Sequence, residues 1–209
     1  MSGAAGHRPN ARRRADSNAT ILQAAVQALV EHGYSGASTI MVQELAGVSR
    51  GRLLHYFPSR DALLVAAAQH VARVRIEEME RGFDTVPTES AGGVDRIDQA
   101  VDLLWSTFRQ PYFWAAMELW MAARTTESLR DELVDNERRL GRTIEHVIAT
   151  MFGPVHSSHP DFADVRELLF TSMRGVALTY ALDRRDPGSD PHLELWRTLA
   201  RRALTAGTR

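Results

Sequence analysis

Basic side chains able to bind an anion open a short helical pattern at residues 50–56. Arg50, Gly51 and Arg52 are its first three residues, and Ser49 precedes them. The first N–H groups of a helix have no partner within the helix, and the helix dipole is positive at that end. This position therefore suits a phosphate group, so the chemistry that these residues favour is the binding of phosphate.

Two short helices and a tight turn are needed to position these arginines. Ser38 and Ser49 each offer a hydroxyl N-cap, the first for a helix over 39–46 and the second for a helix over 50–56. Between the two helices, Gly47 can adopt a positive φ without a steric clash. The arrangement is that of a helix-turn-helix, whose second helix lies in the major groove of DNA.

The same segment contains a pattern found in hydrolases. Residues 47–51 read GVSRG and match G-x-S-x-G, the nucleophile elbow of α/β-hydrolases. That elbow requires a strand running into the turn, whereas the preceding MVQELA has helical periodicity. No strand pattern persists elsewhere in the chain, so the supporting sheet is not expected. We therefore predict that the protein is not an enzyme.

Metal and cofactor sites are not predicted either. The absence of cysteine excludes disulfides, thiolate metal sites and a cysteine nucleophile. His156 and His159 have only Asp161 and Asp164 nearby in a polar loop pattern, and such a pair is more often solvated than metal-bound. None of the eight histidines follows a glutamate by three residues, as a di-metal helix bundle would require. We expect no metal and no cofactor.

Charge is distributed unevenly along the 209 residues. The net charge is −1, but residues 1–60 hold seven arginines against three acidic residues, whereas the remainder holds 18 arginines against 23 acidic residues. A basic N-terminal region followed by an acidic remainder is expected where one end of a protein binds DNA. The sequence has no apolar run long enough to span a membrane and no secretory signal, so we expect a cytoplasmic protein.

Helical periodicity runs through the whole chain and predicts an all-α protein of about nine helices. Glycine, proline and hydroxyl residues at the expected positions separate the periodic segments. The segments lie at about 18–31, 39–46, 50–56, 60–81, 94–108, 111–125, 128–152, 161–184 and 191–206.

The segment 46–64, AGVSRGRLLHYFPSRDALL, follows the DNA-binding signature of the TetR family of transcriptional regulators nearly position for position. The chain resembles that family over residues 15–65, and the helical remainder is similar in length and helix count. The resemblance implies a basic arm plus a three-helix helix-turn-helix DNA-binding domain at 1–60. It further implies a larger helical effector-binding and dimerisation domain at 61–209.

The resemblance also assigns roles in DNA binding. Arg52 and His55 would face base edges or nearby phosphates, and Arg52 can make a bidentate contact with guanine. Gly51 would allow close approach of the backbone. Many members carry tyrosine where this chain has Leu54, so either a phosphate-contacting hydroxyl is missing or Leu54 touches a thymine methyl. The residues expected to anchor phosphates are Ser38, Ser49, Arg50, Tyr56 and Arg60.

A basic run, Arg12-Arg13-Arg14, precedes the first predicted helix. One interpretation is a flexible arm that reaches the DNA backbone or the minor groove. The other is a solvated, disordered tail, and the sequence does not separate the two.

A stretch rich in aromatic residues and methionine, residues 112–121, is the candidate ligand site. On a helix its bulky side chains share one stripe, which aromatic residues of the preceding helix could face. Such a stripe is usually core, but the TetR family typically binds small effectors in this domain, and these side chains suit an apolar or aromatic ligand. The predicted effector-binding residues are Trp105, Phe108, Phe113, Met117, Trp120, Met121, His146 and Arg174.

Polar residues interrupt the apolar stretches at Glu118, Arg124, His146 and Arg174. They could orient a ligand, or Glu118 and Arg174 could form a buried structural pair. We favour the structural pair, because a buried charge must be matched whatever the function.

The last two helices are expected to form the homodimer. In this family, two such helices from each subunit commonly form a four-helix bundle. A two-fold dimer places its recognition helices about one DNA turn, ~34 Å, apart, so double-stranded DNA with an imperfect palindrome is the expected partner. The predicted interface residues are Val165, Leu168, Leu169, Met173, Val176, Tyr180, Leu195, Trp196 and Leu199.

Together these features predict a homodimeric repressor that a small, largely apolar effector releases from a palindromic operator. One alternative is a DNA-binding regulator without a small-molecule effector, gated by a protein partner. The other is an enzyme or carrier that retains the fold.

Overall fold

A computed structural model describes residues 8–83, 93–183 and 185–205. Within these ranges the protein is all-helical, as predicted, and no described helix is long and apolar enough to cross a membrane. A 3-10 turn, Pro187–Ser189, lies between the last two α-helices. The α-helices of the described chain are α1 (Arg8–Gly36), α2 (Thr39–Ala46), α3 (Arg50–Tyr56), α4 (Arg60–Phe83), α5 (Val94–Thr107), α6 (Pro111–Ala123), α7 (Glu127–Ser157), α8 (Phe162–Thr179) and α9 (His192–Thr205).

Three helices differ from their predicted bounds by five residues or more, and one of them, α8, ends at Thr179 rather than at residue 184. Helix α1 begins at Arg8 rather than at residue 18 and resumes after a break at Gly33. Helix α7 is broken at Gly153, but the residues that follow form another helical turn instead of the predicted loop. Pro154 is compatible with this turn, because the first residue of a helix needs no N–H donor.

One compact unit consists of the chain up to Val74 together with Trp114–Leu140. Its core is built on the buried face of α1, against which α2, α3 and the first half of α4 contribute Val42, Leu53 and Leu63, each completely buried. Leu119 of α6 and Leu129 of α7 complete this core.

The second compact unit consists of Arg75–Phe113 together with Gly141–Arg209. Here α5 packs against both α8 and α9. The Arg197 guanidinium of α9 forms two hydrogen bonds with the Asp102 carboxylate of α5, at 2.8 and 2.7 Å. The two compact units thus do not coincide with the predicted domains, which meet at residue 60. That boundary separates a DNA-binding from an effector-binding function, and it stays a prediction.

The connection between α8 and α9 is organised around a buried carboxylate. Asp190 accepts hydrogen bonds from the hydroxyl of Tyr180, from the backbone N–H of His192 and from the His192 ring. Burial alone would raise the pKa of Asp190, but these hydrogen bonds outweigh burial and hold the pKa below its usual value. For Tyr180, burial and the hydrogen bond to Asp190 both raise the pKa, to about 12.

The raised pKa of Tyr180 predicts a loss of stability at high pH. The folded protein keeps the hydroxyl proton to about pH 12, whereas the unfolded chain releases it near pH 10.0, the ordinary pKa of tyrosine. The contribution of this group to the free energy of unfolding is therefore complete below pH 10 and is lost as the pH rises from 10 towards 12. In Tyr180→Phe this part of the pH dependence should disappear, as denaturant unfolding at a series of pH values will measure.

Ultraviolet titration of the tyrosines supplies the control. Tyr56→Phe removes a hydroxyl that is not hydrogen-bonded to Asp190, and it should keep the tyrosine that titrates near pH 12, which Tyr180→Phe loses. Tyr34, whose pKa is raised by burial and by its hydrogen bond to Asp61, is present in both variants and does not distinguish them. An identical titration curve for the two variants would contradict the assignment.

Candidate nucleic-acid interface

The helix-turn-helix is held by side-chain caps at the start of both helices. The Ser38 hydroxyl accepts the Met41 N–H at 3.2 Å, and the Ser49 hydroxyl accepts the Arg52 N–H at 3.3 Å. Between the helices, Gly47 adopts φ 63°. This left-handed conformation carries little energetic cost for glycine, because glycine has no Cβ. The predicted bounds of α2 and α3 are confirmed.

Helix α3 has one buried face and one exposed face. Leu53 is completely buried and Phe57, just after the helix, is 8% exposed, so both belong to the core. Tyr56 is partly buried and packs against that core. The side of α3 that faces solvent carries the remaining predicted contacts, namely Arg50, Gly51, Arg52, Leu54 and His55.

Arg60 differs from the other predicted phosphate ligands, because protein groups hold its guanidinium. Its Nε donates to the Ala37 carbonyl at 2.6 Å, and its guanidinium carbon lies 4.3 Å from the centre of the Tyr34 ring. A neighbouring carboxylate, that of Asp61, lies 3.7 Å from Nη1. The partly buried Arg60 therefore connects the start of α4 to the residue that precedes the helix-turn-helix.

Gly51 has no structural need to be glycine in the free protein. It is exposed within α3, and a Cβ added there would meet no atom within 4 Å. Because glycine in a helix is less stable than alanine, Gly51→Ala should raise the free energy of unfolding by about 0.5–1 kcal/mol. If DNA approaches this backbone closely, the same methyl group should weaken operator binding by about 5- to 100-fold.

The matched control for this prediction is Gly141→Ala in α7, where an added Cβ also meets nothing within 4 Å. It should stabilise the protein similarly and leave the dissociation constant for DNA unchanged. Denaturant unfolding and fluorescence anisotropy with labelled duplex measure the two effects. Unchanged DNA affinity in Gly51→Ala would show that DNA does not approach this residue closely.

The basic run Arg12–Arg14 lies within the first turns of α1, so its backbone is helical. The side chains of these residues lie outside the described part of the structure. Whether they reach DNA stays a prediction.

In the second unit, several predicted effector-binding residues contact one another. Trp105, Phe108 and Phe113 are buried, and the Phe108 ring centre lies 6.2 Å from that of Trp105 and 5.4 Å from that of Phe113. Phe170 continues the cluster, and the Arg174 guanidinium lies 4.6 Å from its ring centre. His146, on α7, is exposed.

In the first unit, the predicted stripe on α6 does not form the core. The residues of α6 that are buried there are Ala115, Leu119 and Ala123. Met117 is partly buried, whereas Trp120 is 37% exposed and Met121 is 65% exposed. Trp120 and Met121 are therefore accessible, which core packing does not explain, whereas Phe113 at the other end of the stripe is buried.

Glu118 is exposed, so the expectation that it forms a buried pair with Arg174 is wrong as regards Glu118. Burial depends on which side of α6 faces the core, and Glu118 lies next to Leu119 but on a different face. Its carboxylate instead accepts the backbone N–H of Tyr34 at 3.0 Å.

The predicted dimer residues on α8 and α9 divide into two groups. Val165, Leu169, Met173 and Trp196 are buried within the chain, so they form its own core and are not free to contact a second subunit. Val176 and Tyr180 are partly buried. The residues left exposed are Leu168 at 52%, Leu195 at 51% and Leu199 at 40%.

The histidine pair near the end of α7 is not placed as a metal site in the described structure. His156 is 2% exposed, and neither ring nitrogen has a hydrogen-bond partner. His159 accepts the backbone N–H of Asp161 at 3.2 Å. No group of three possible metal ligands occurs among the residues that the structure describes.

Two residues near the interface were not found from the sequence, Tyr34 and Asp61. The Tyr34 hydroxyl donates to Asp61 Oδ1 at 2.8 Å, which connects the end of α1 to the start of α4. A glycine followed by tyrosine at a helix end carries no signal of such a contact, because its partners are distant in the sequence.

Comparison with known proteins agrees with this geometry. The family model described as "Bacterial regulatory proteins, tetR family" matches residues 21–67, which comprise most of α1, the helix-turn-helix and the start of α4. The HTH-type transcriptional regulator CymR of Pseudomonas putida is 28% identical over 171 residues, 82% of each chain. The HTH-type transcriptional repressor AcnR of Corynebacterium glutamicum is 28% identical over 145 residues, 69% of this chain and 68% of AcnR.

Solved structures show the same fold. FadR from Bacillus subtilis, solved in complex with stearoyl-CoA, matches with a TM-score of 0.58 at 15% identity, over 90% of this chain and 98% of FadR. Residues 21–67 thus match the DNA-binding domain of the TetR family, and the chain as a whole is similar to transcriptional regulators of that family in sequence and in its all-helical fold.

Proposed function

We propose that this regulator is a homodimeric repressor that binds an imperfect palindromic operator and is released by a small apolar or aromatic molecule. The observation that carries the proposal is the two-faced recognition helix α3. Its buried Leu53 fixes the helix to the core, while Arg50 and Arg52 remain exposed beside the helix N-terminus and His55 remains exposed in the last turn. Such a face suits base edges and phosphates together.

Within this interface the roles divide by side-chain length and position. Arg52 and His55 are the candidates for base contacts, with Leu54 against a thymine methyl. Arg50 and the two capping serines, Ser38 and Ser49, are the candidates for phosphate contacts. Each serine can donate its hydroxyl proton outwards while its oxygen accepts from the helix.

The accessible stripe on α6 supports an effector site. Trp120 and Met121 expose large apolar surface, which soluble proteins usually cover or use. FadR, which shares the fold, was solved with a ligand that has a long acyl chain. An apolar effector that prefers the DNA-incompetent state would release the operator, because a ligand shifts an equilibrium only through its differential affinity.

The test of the DNA-binding function is selection of random duplex DNA by the purified full-length protein at low and moderate salt. Enrichment of one imperfect palindrome, retained at moderate salt, is the expected result. Binding at low salt without an enriched sequence would contradict sequence-specific regulation, because it would reflect only the charge of the basic N-terminal region.

The effector is tested separately on the selected operator. A library of acyl, aromatic and polar small molecules is screened for compounds that both raise the melting temperature and release labelled operator. Release by apolar compounds alone is expected. A protein that no compound stabilises or releases would instead be gated by a partner or by its own concentration.

A further inference from the structure

The backbone of α1 leaves the helical path at Gly33, immediately before the turn into the helix-turn-helix. Gly33 has φ 66° and ψ 176°, and Tyr34 follows it. The backbone N–H of Tyr34 donates to Glu118 Oε2 on α6 at 3.0 Å, across 84 positions of sequence. A residue of α6 thus receives the hydrogen bond at the point where α1 is interrupted.

Gly33 permits this contact in two ways. Its positive φ is a conformation that residues with a side chain rarely adopt. A Cβ added at Gly33 would also lie 3.0 Å from Glu118 Oε2, closer than nine in ten real Cβ contacts. The Glu118 carboxylate therefore lies directly against the backbone of α1.

The side chain of Tyr34 continues the connection towards α4. Its hydroxyl donates to Asp61 Oδ1 at 2.8 Å, and its ring lies under the guanidinium of Arg60. The Asp61 carboxylate also lies 3.5 Å from the Ser128 hydroxyl of α7. Tyr34 is thus held at both ends, by α6 through its backbone and by α4 through its side chain.

Arg60 carries the connection to the first residue of the helix-turn-helix. Its Nε donates to the carbonyl of Ala37, which is completely buried and directly precedes the cap Ser38. A continuous path of contacts therefore leads from Glu118 through Tyr34 and Arg60 to the start of α2.

We infer that Glu118 is a positioning residue for DNA binding, because its hydrogen bond to Tyr34 fixes the turn from which the helix-turn-helix begins. The inference rests on the proposed function, and it names the contact through which α6 would regulate DNA binding. Trp120 and Met121 lie on the same helix as Glu118, so a ligand that displaces α6 would break the hydrogen bond to Tyr34. The hydrogen bond between Glu118 of α6 and Tyr34 of α1 would then couple ligand binding to the position of the helix-turn-helix.

The test compares Glu118→Ala with Glu118→Gln in the full-length protein. Glu118→Ala removes the acceptor and should weaken binding to the selected operator by about three- to tenfold, the worth of one hydrogen bond. Glu118→Gln retains a carbonyl oxygen and should bind almost as the wild type does. The salt dependence of binding should stay the same in both variants, since no phosphate contact is lost.

Glu132→Ala on α7 is the matched control, because it removes the same charge from an exposed position in the same unit. Removing a negative charge by itself favours DNA binding, so this variant should bind as tightly as the wild type or slightly more tightly. Hydrogen exchange of the Tyr34 amide, measured alongside, should accelerate in Glu118→Ala and remain slow in Glu132→Ala.

Two outcomes would overturn the inference. In one, Glu118→Ala matches Glu132→Ala in operator affinity. In the other, Glu118→Ala and Glu118→Gln are equally impaired with a changed salt dependence, so that charge and not the hydrogen bond is responsible. Failure of the proposed function differs from both, because the wild-type protein itself would then prefer no palindrome.

Discussion

Arg52→Ala should lower the affinity for the selected operator by about 5- to 150-fold per half-site, as expected for the loss of a bidentate contact with guanine worth ~1–3 kcal/mol. Arg52 is exposed in the first turn of α3, and its backbone N–H donates a hydrogen bond to the capping hydroxyl of Ser49. The side chain therefore starts from a defined position. Repeating the DNA selection with the variant should show a relaxed preference at one base pair in each half-site.

Arg50→Ala is the comparison that separates base reading from phosphate binding. It removes the same charge from the same helix, but at a residue proposed to contact phosphate. It should weaken binding to all sequences alike and reduce the dependence of binding on salt by about one phosphate contact per half-site. Arg142→Ala, an exposed position on α7, controls for charge and should change neither property.

The two arginine variants must differ for the proposed roles to hold. If Arg52→Ala keeps the wild-type base preference at every position and only changes the salt dependence, Arg52 binds phosphate. The base-reading role would then pass to His55 or Leu54, the other exposed side chains of α3 that are proposed to face bases.

The helix-turn-helix could be predicted from the sequence because its determinants are local. Ser38 and Ser49 cap helices that begin at the very next residue, and Gly47 ends the first of these helices. A cap acts within three residues of its own position. Segments whose ends are specified by such short-range contacts are readable without knowledge of the remaining fold.

Which face of a helix lies in the core was harder to predict. Helix α6 is apolar on nearly every side, so its periodicity does not distinguish the stripe through Trp120 from the face through Leu119. The small residues Ala115 and Ala123 lie on the buried face, because they allow close approach to neighbouring helices. Residue size, rather than hydrophobicity, decides the orientation here.

Contacts between distant residues were not predictable at all. The Glu118 carboxylate finds the Tyr34 N–H only after α1 and α6 have packed together. In the same way, the apolar stripes of α8 and α9 indicate burial but not whether the covering surface belongs to the same chain. Only packing separates the buried Met173 from the exposed Leu168.

The exposed leucines of α8 and α9 lead to the largest expected effect, the loss of the dimer. Leu168, Leu195 and Leu199 are 40–52% exposed in the single chain. On α8, Gly175 is also exposed, and a Cβ added there would meet nothing, which leaves room for a second helix to approach. We propose that these residues form the contact with a second subunit.

The double variant Leu195→Asp/Leu199→Asp should therefore be monomeric. In a two-fold dimer it removes four leucines from the interface, each worth about 1.5–3 kcal/mol when fully buried, and adds four like charges. This loss is comparable to the whole binding energy of a nanomolar dimer, about 12 kcal/mol. Sedimentation should give the monomer mass of 23.3 kDa instead of twice that value.

Loss of the dimer should abolish operator binding although no DNA-contacting residue is changed. Two linked recognition helices bind both half-sites at an effective concentration that a free monomer cannot match, so the affinity should fall by about 100-fold or more. Val155→Asp, an exposed apolar position on α7 in the same unit, should leave both mass and affinity unchanged. A double variant that still sediments as a dimer would place the interface elsewhere. A folded monomer that still binds the full palindrome tightly would show that operator binding does not depend on dimerisation.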